Sequence, residues 1–224
     1  MKHKFSLIID FDSTIISIET LEYLASISLE KNNHKNKIIN QISKYTNLAM
    51  NGEITFEKSL DIRLNLMGIT RNHINKAIDG LSDKLDDTFL DNIDFFKENI
   101  NDIYIVSGGF KSIISPILLS FMNLDWNIFA NEFKFDKDDN VVGIESNNPL
   151  AFSKGKVELV KKLNLNNDVI IIGDGYTDYE VKKYGAAKHF LAYTAHVKRD
   201  NVIVHADKVC KNFNQVLEFI KKIN

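Results

Sequence analysis

Short apolar runs punctuate this chain at residues 5–11, 103–106 and 169–172, with a weaker one at 189–193, each bounded by polar or glycine-containing turns. Their apolarity is continuous rather than alternating, the pattern of strands buried on both faces in a parallel sheet covered by helices. Between them, apolar residues return at helical spacing over residues 88–98, 110–122, 154–163, 179–184 and 214–223. Alternation of strand and helix predicts a doubly wound, Rossmann-like α/β core with a parallel sheet. In the last stretch Val216, Leu217, Ile220 and Ile223 form one stripe, as expected of a terminal helix packed on that core.

The first strand is followed by something other than a crossover helix. From about Glu19 to Ile78 the pattern is helical throughout, far longer than a normal connection. Apolar residues recur at helical spacing over 21–29, 38–48 and 56–67, separated by Asn- and Gly-containing breaks. The organisation expected is therefore a core of residues 1–15 and 79–224 with an inserted helical cap subdomain at 16–78. Residues 128–144 alternate and contain Asp138, Asp139, Asn140 and Gly143, which predicts a small hairpin.

Composition narrows the function classes. With 224 residues, 44% of them hydrophobic and 26% charged, the chain can bury a substantial core, which excludes a disordered or collagen-like protein. The formal net charge is -2 and the 28 Lys and Arg are spread along the chain, so no nucleic-acid partner is expected. The N-terminus begins with lysines, as a secretion signal does, but Asp10 and Asp12 interrupt its apolar stretch, and no later run is long enough to span a bilayer. A single cysteine, Cys210, forms no internal disulfide and lacks the neighbours of a zinc site. Together these features predict a cytoplasmic protein without a membrane partner, as a monomer or homodimer. Lysine supplies nearly every cation; only Arg63, Arg71 and Arg199 are arginines, so each invites a search for a geometric demand.

Chemistry in such sheets sits outside the carboxyl ends of the strands. There, Asp10-Phe11-Asp12-Ser13-Thr14 puts two carboxylates on one side of the chain, because side chains alternate with period two. A divalent cation, or a division of labour between nucleophile and proton donor, makes that pair sensible; the plainer account is that Asp12 caps the next helix. Ser107-Gly108-Gly109 offers a hydroxyl and backbone N–H groups at an expected helix start, an oxyanion corner or simply a helix capped by Ser107. Ser153-Lys154-Gly155-Lys156 places lysines where a helix dipole disfavours them unless an anion lies in front. Solvated surface accounts for Lys156 more readily than for Lys154, so Lys154 is the candidate. In Gly173-Asp174-Gly175-Tyr176-Thr177-Asp178, Asp174 is a hard oxygen ligand for Mg²⁺ and Asp178 an outer or water-mediated one, unless the segment is only an Asx turn. All four segments converge on one edge of the sheet. His189, His196 and His205 read as surface or packing residues.

In order and chemistry these segments resemble the four motifs of the haloacid dehalogenase superfamily: Asp10/Asp12, Ser107, Lys154 and Asp174/Asp178. The resemblance implies a phosphatase in which Asp10 becomes phosphorylated and Asp12 shuttles the proton. It further implies Mg²⁺ on Asp10, the Asp12 backbone carbonyl and Asp174, and phosphate bound by Ser107, Gly108, Gly109 and Lys154. Within the superfamily the chain is similar to the phosphoserine phosphatase branch, which carries its helical cap after the first motif. The residues are DFDST followed by Glu19; Met50, Phe56 and Arg63 in MNGEITFEKSLDIRL; then VSGGF and ANEF. That similarity implies that Glu19 and Arg63 hold the amino and carboxylate groups of phosphoserine, with Met50 and Phe56 in the same substrate site. It also implies the last step of serine biosynthesis. Arginine suits the carboxylate because it binds in a planar fork. Thr177 stands where the branch often has Asn, and its hydroxyl is expected near the phosphate. The rival is another capped phosphatase, or a phosphotransferase, acting on a different small phosphorylated metabolite.

Overall fold

The computed structural model describes residues 5–122 and 126–223. Its strands are β1 (Phe5–Ile9), β2 (Ile103–Phe110), β3 (Asn127–Asn131), β4 (Phe133–Phe135), β5 (Val141–Ile144), β6 (Asp168–Gly173), β7 (His189–Tyr193) and β8 (Lys208–Cys210). Six of them form one parallel sheet in the order β3-β2-β1-β6-β7-β8. The continuous apolarity of the sequence has a direct cause. Leu7 and Ile9 of β1 face one buried cluster with Ile103, Ile105, Ile170 and Ile172, while Ile8 faces the other with Val106, Ile171 and Ala192.

The helices are α1 (Thr20–Ser28), α2 (Lys35–Met50), α3 (Phe56–Asn65), α4 (Arg71–Leu81), α5 (Asp87–Asp91), α6 (Ile93–Glu98), α7 (Lys111–Met122), α8 (Gly155–Lys162), α9 (Tyr176–Lys183), α10 (Asp200–Ile203) and α11 (Phe213–Ile223). Among them, α7 packs on β2 and β3, and α8 and α9 pack on β2, β6 and β7. The stretch between β1 and β2 opens with four helices, α1 to α4. α4 is closed at its start by a reciprocal cap between Thr70 and His73 and continues past Ile78 to Leu81. The two connections to this stretch lie side by side: Ile16 bridges Leu85, the Ser17 N–H donates to the Lys84 carbonyl at 2.8 Å, and the Asp86 N–H donates to the Ile15 carbonyl at 2.8 Å.

The segment expected as one hairpin divides. Residues 127–131 form β3, an edge strand of the main sheet, and only β4 and β5 make the antiparallel hairpin. A half-covered edge strand alternates just as a hairpin does, so periodicity alone does not separate them. β2 also runs to Phe110 rather than stopping at Val106.

The order of strands reverses between β1 and β6. A doubly wound sheet opens a crevice at such a switch point, and the residues leaving these two strands are Asp10 and Asp174.

Candidate active site

Asp10 is the first residue past β1, and its N–H donates to the Ile172 carbonyl at 2.9 Å, extending the β1–β6 pairing by one residue. Its carboxylate is fixed from two sides: Oδ1 accepts the Phe11 N–H at 2.8 Å and Oδ2 pairs with the Lys156 ammonium at 2.8 Å. The chain then turns at Ser13, whose φ of +54° is left-handed, and brings Asp12 and Glu19 to the same cavity. Asp12 does cap the following helix, its Oδ1 accepting the Thr20 N–H at 3.1 Å, while also lining the cavity. Burial first, and then the charges of Glu19 and Asp10, push the Asp12 carboxyl up to about 8. Glu19 accepts the Ser13 hydroxyl at 2.8 Å.

On β2, Val106 pairs with Phe129 and Phe110 with Asn131, so four steps on β2 match two on β3. The segment between, Ser107 to Gly109, holds two residues more than its partner and bulges beside Asp12, whose carboxylate would lie 3.0 Å from a Cβ on Gly109. Ser107 is therefore no helix cap; its hydroxyl oxygen accepts the Gly109 N–H at 3.0 Å. The bulge is pinned by the buried Asn131, whose amide donates to the Gly108 carbonyl at 2.9 Å and the Leu150 carbonyl at 3.2 Å. A Cβ on Gly108 would lie 2.6 Å from the Phe56 ring, and one on Gly175 2.7 Å from the Met50 sulfur. Glycine at these two places lets side chains from α2 and α3 reach the sheet edge.

Lys156, not Lys154, enters the site. Its ammonium lies 2.8 Å from Asp10 and 2.6 Å from Asp178, with the lysine side chain only 6% exposed. Burial opposes its charge, but Asp10 and Asp178 outweigh that and raise its pKa above the ordinary value. Lys154 takes a left-handed conformation, φ +61°, and points its exposed side chain over the Tyr184 ring at 4.6 Å.

Asp10, Asp174 and Asp178 each present a carboxylate oxygen within 4.8 Å of the others, and all three are buried. Asp178, expected as an outer or water-mediated ligand, thus stands in one group with the other two acids. Burial pushes the Asp174 carboxyl up, with Glu19, Asp10 and Asp178 adding to the effect against Arg199. Asp178 is also raised, by burial and by Asp10, against the pull of Lys156. Three hard oxygens whose charges remain unfavourable together suit a divalent cation such as Mg²⁺.

Arg63, on α3, is 3% exposed; its guanidinium donates to the Ser59 carbonyl at 3.3 Å and to the Thr46 hydroxyl at 3.2 Å. Among the described residues it forms no ion pair, although Glu19, Asp12 and Glu22 favour its charge against burial. The cavity is lined by Asp10, Asp12, Glu19, Met50, Arg63, Ser107, Gly108, Gly109, Lys156, Asp174 and Thr177 together with Leu21. It therefore collects the expected residues, Phe56 and Asp178 lying at its edge and Lys156 standing where Lys154 was expected. The buried Thr177 hydroxyl faces it without a hydrogen-bond partner.

Residues 6–184 match the haloacid dehalogenase-like hydrolase family. The chain belongs to that family. Among similar proteins are the chloroplastic phosphoserine phosphatase of Arabidopsis thaliana, 28% identical over 211 residues covering 93% of this chain and 69% of that one. The phosphoserine phosphatase of Homo sapiens is also 28% identical, with 93% and 89% covered. A solved phosphoserine phosphohydrolase-like protein from Francisella tularensis shares 32% identity at a TM-score of 0.87, covering 97% of this chain and all 100% of that one. A phospho-aspartyl intermediate analogue of phosphoserine phosphatase has the same fold, with a TM-score of 0.77 at 23% identity, covering 98% and 99%.

Two groups of this hydrolase escaped the sequence reading. Arg199 is 6% exposed; it donates to Asp174 at 3.1 Å and to the Asn47 side chain at 2.8 Å, and lies 3.9 Å from Glu19. The rarity of arginine was its only signal. His196, in the same loop, pairs with the buried Asp86 at 2.8 Å and so anchors the loop beside the paired connections at Ile16 and Leu85. No helix is long and apolar enough to cross a membrane among the described residues.

Proposed function

We propose that this hydrolase is a phosphoserine phosphatase working through a phosphorylated Asp10. The observation that carries this reading is one small cavity holding a Lys156-paired Asp10 beside Asp12 and, facing them, a buried Arg63 without an anion, together with Glu19. The first group suits phosphoryl transfer. The second suits a zwitterionic amino acid, whose carboxylate takes the planar fork of Arg63 and whose ammonium takes Glu19.

In this mechanism an oxygen of Asp10 attacks phosphorus and the phosphorus–serine oxygen bond breaks as the bond to Asp10 forms. Asp12 gives its proton to the departing serine oxygen; with its carboxyl pushed up to about 8, it holds that proton at neutral pH. Asp12 then takes a proton from water as the water attacks the phosphorylated Asp10, which releases inorganic phosphate and restores both residues. The Ser107 hydroxyl, held by the Gly109 N–H, together with Lys156 and the unpaired Thr177 hydroxyl binds the non-bridging phosphate oxygens. Mg²⁺ held by Asp10, Asp174 and the Asp12 backbone carbonyl, with Asp178 beside them, would supply charge neutralisation for the phosphate dianion when bound. Free space in the cavity is only about 20 Å³, so α1 to α4 must move as a cap to admit substrate. Release of serine from phosphoserine places the reaction at the end of serine biosynthesis.

A panel of phosphomonoesters assayed with Mg²⁺ and with EDTA tests the proposal. Phosphoserine is expected to be hydrolysed preferentially and only with the metal, Asp10→Asn to abolish turnover, and Arg63→Ala to damage phosphoserine hydrolysis far more than that of an aryl phosphate. Equal losses on both substrates argue against the carboxylate clamp, and an active Asp10→Asn rejects the nucleophile.

A further inference from the structure

α3 touches the core at more than the substrate cavity. Its first residue, Phe56, lies over Gly108 of the β2 bulge, and its second, Glu57, reaches the segment that leads into Lys156. There the two donors of Ser153 converge on one atom: the N–H at 2.9 Å and the hydroxyl at 2.5 Å both donate to Glu57 Oε2. Only Lys154 and Gly155 separate Ser153 from Lys156. That short path is stiff, since Lys154 sits at φ +61° and any Cβ on Gly155 would come within 1.9 Å of the Pro149 carbonyl oxygen. Where Ser153 is held, the placing of Lys156 against Asp10 and Asp178 is therefore held as well. The outer side of the Glu57 contact opens on a groove between α3 and β5, so water can replace these hydrogen bonds whenever α3 lifts. On the far side of the cavity, α2 is tied to the core by Asn47 with Arg199 at 2.8 Å and by the Asn51 carbonyl with Asn201 at 2.7 Å.

Resting on the phosphatase reading above, we propose that Glu57 is a positioning residue whose bonds to Ser153 join closure of α1 to α4 over the site to the seating of the Lys156 segment. It touches no reacting atom. With the cap lifted, Ser153 loses both hydrogen bonds at once and the Lys156 segment loses its outer support; with the cap down, both are restored together. The charge of Glu57 is secondary to this geometry, because a single oxygen receives both bonds and an amide oxygen can do the same.

The test has two independent readouts. Spin labels at the exposed Lys58 of α3 and Lys162 of α8, introduced as cysteines beside the buried Cys210, report the distance between cap and core in the protein alone. Glu57→Ala and Ser153→Ala are expected to shift that distribution towards longer distances, and Glu57→Gln to keep it near that of the parent. In turnover, Glu57→Ala, which removes both hydrogen bonds, is expected to raise KM for phosphoserine roughly tenfold; Ser153→Ala, which keeps the backbone N–H bond to Glu57, should raise it by less, and the double variant by no more than Glu57→Ala alone. Distances and KM unchanged in both alanine variants, additive losses in the double variant, or a Glu57→Gln as impaired as Glu57→Ala would each overturn the proposal. If phosphoserine proves not to be the substrate, the label distances still decide whether the contact holds the cap.

Discussion

Replacing Lys156 by Met keeps most of the side-chain volume and removes the one ammonium that lies between Asp10 and Asp178. The two carboxylates are 7% and 0% exposed and sit 2.8 and 2.6 Å from that ammonium, so solvent does not screen what is left. Breaking a buried pair by deleting one partner costs about 3–5 kcal/mol. For a chain of this size each kcal/mol moves Tm by about 2–4 °C, which gives a fall of about 6–20 °C. Turnover should drop about 10²- to 10³-fold, the usual cost of deleting one preorganised donor to developing charge. Lys154→Ala is the control: an exposed cation over the Tyr184 ring is worth about 0.5–1 kcal/mol, so Tm should fall by no more than about 4 °C with activity retained. Adding Asp178→Asn to Lys156→Met should recover part of the lost stability, since it removes one of the stranded charges, without recovering turnover. Thermal melts by circular dichroism at pH 7 and phosphate release measure both quantities. A Lys156→Met protein that melts with the parent, or a Lys154→Ala protein equally inactive, would refute the assignment of the site lysine.

Acid should weaken the fold through Asp86, whose carboxylate accepts from Phe89 N–H, the Thr88 and Tyr193 hydroxyls and His196, and is held down to about 2 although burial opposes this. Its unfolded value is near 3.9, so the stabilisation is complete above that pH and is lost as pH falls towards 2; urea melts between pH 6 and pH 2 should show a loss of at most about 2 kcal/mol that Asp86→Asn abolishes, and an unchanged slope in that variant counts against the network. Thr177→Val removes a buried hydroxyl without a partner, so Tm should hold or rise slightly while kcat/KM for phosphoserine falls about tenfold; a destabilised variant with normal kinetics would make that hydroxyl structural.

Sequence pattern located the acids because each follows a strand buried on both faces, where continuous apolarity marks the strand end closely. Asp10 and Asp174 stand immediately past β1 and β6, and pairing of those two strands sets their proximity. The lysine was harder, since Lys154 and Lys156 both stand at the start of α8 and periodicity assigns that place to each. Yet the helix itself held a discriminating signal. Three and four residues on from Lys156 come the buried Leu159 and Val160, whereas Lys154 is followed at that spacing by Val157 and the exposed Glu158. Arg199 and His196 had no such signal, because the loop after β7 has no repeat to say which way a side chain faces. The edge strand β3 and the hairpin share one alternating stretch for the complementary reason: alternation marks a strand but does not say which strand it pairs with.

Charge balance explains why these residues make sense only as a set. The carboxyl groups of Asp10, Asp12, Glu19, Asp174 and Asp178 crowd one buried region against the three cations Lys156, Arg63 and Arg199, and the carboxyls of Asp12, Asp174 and Asp178 are raised by burial and by their acidic neighbours. Acids outnumber cations there, and Lys156 has little left for a phosphate dianion, being already shared between Asp10 and Asp178. A divalent cation bound by the acidic group would supply the missing positive charge, and on the proposed function the acids are then a means of recruiting it rather than an obstacle to phosphate. Arg63 differs from the other two cations because no carboxylate of the described residues pairs with it. Glu19, Asp12 and Glu22 favour its charge without pairing with it; on the proposed function, the carboxylate of an amino-acid phosphate would complete that compensation, which a simple alkyl phosphate would not.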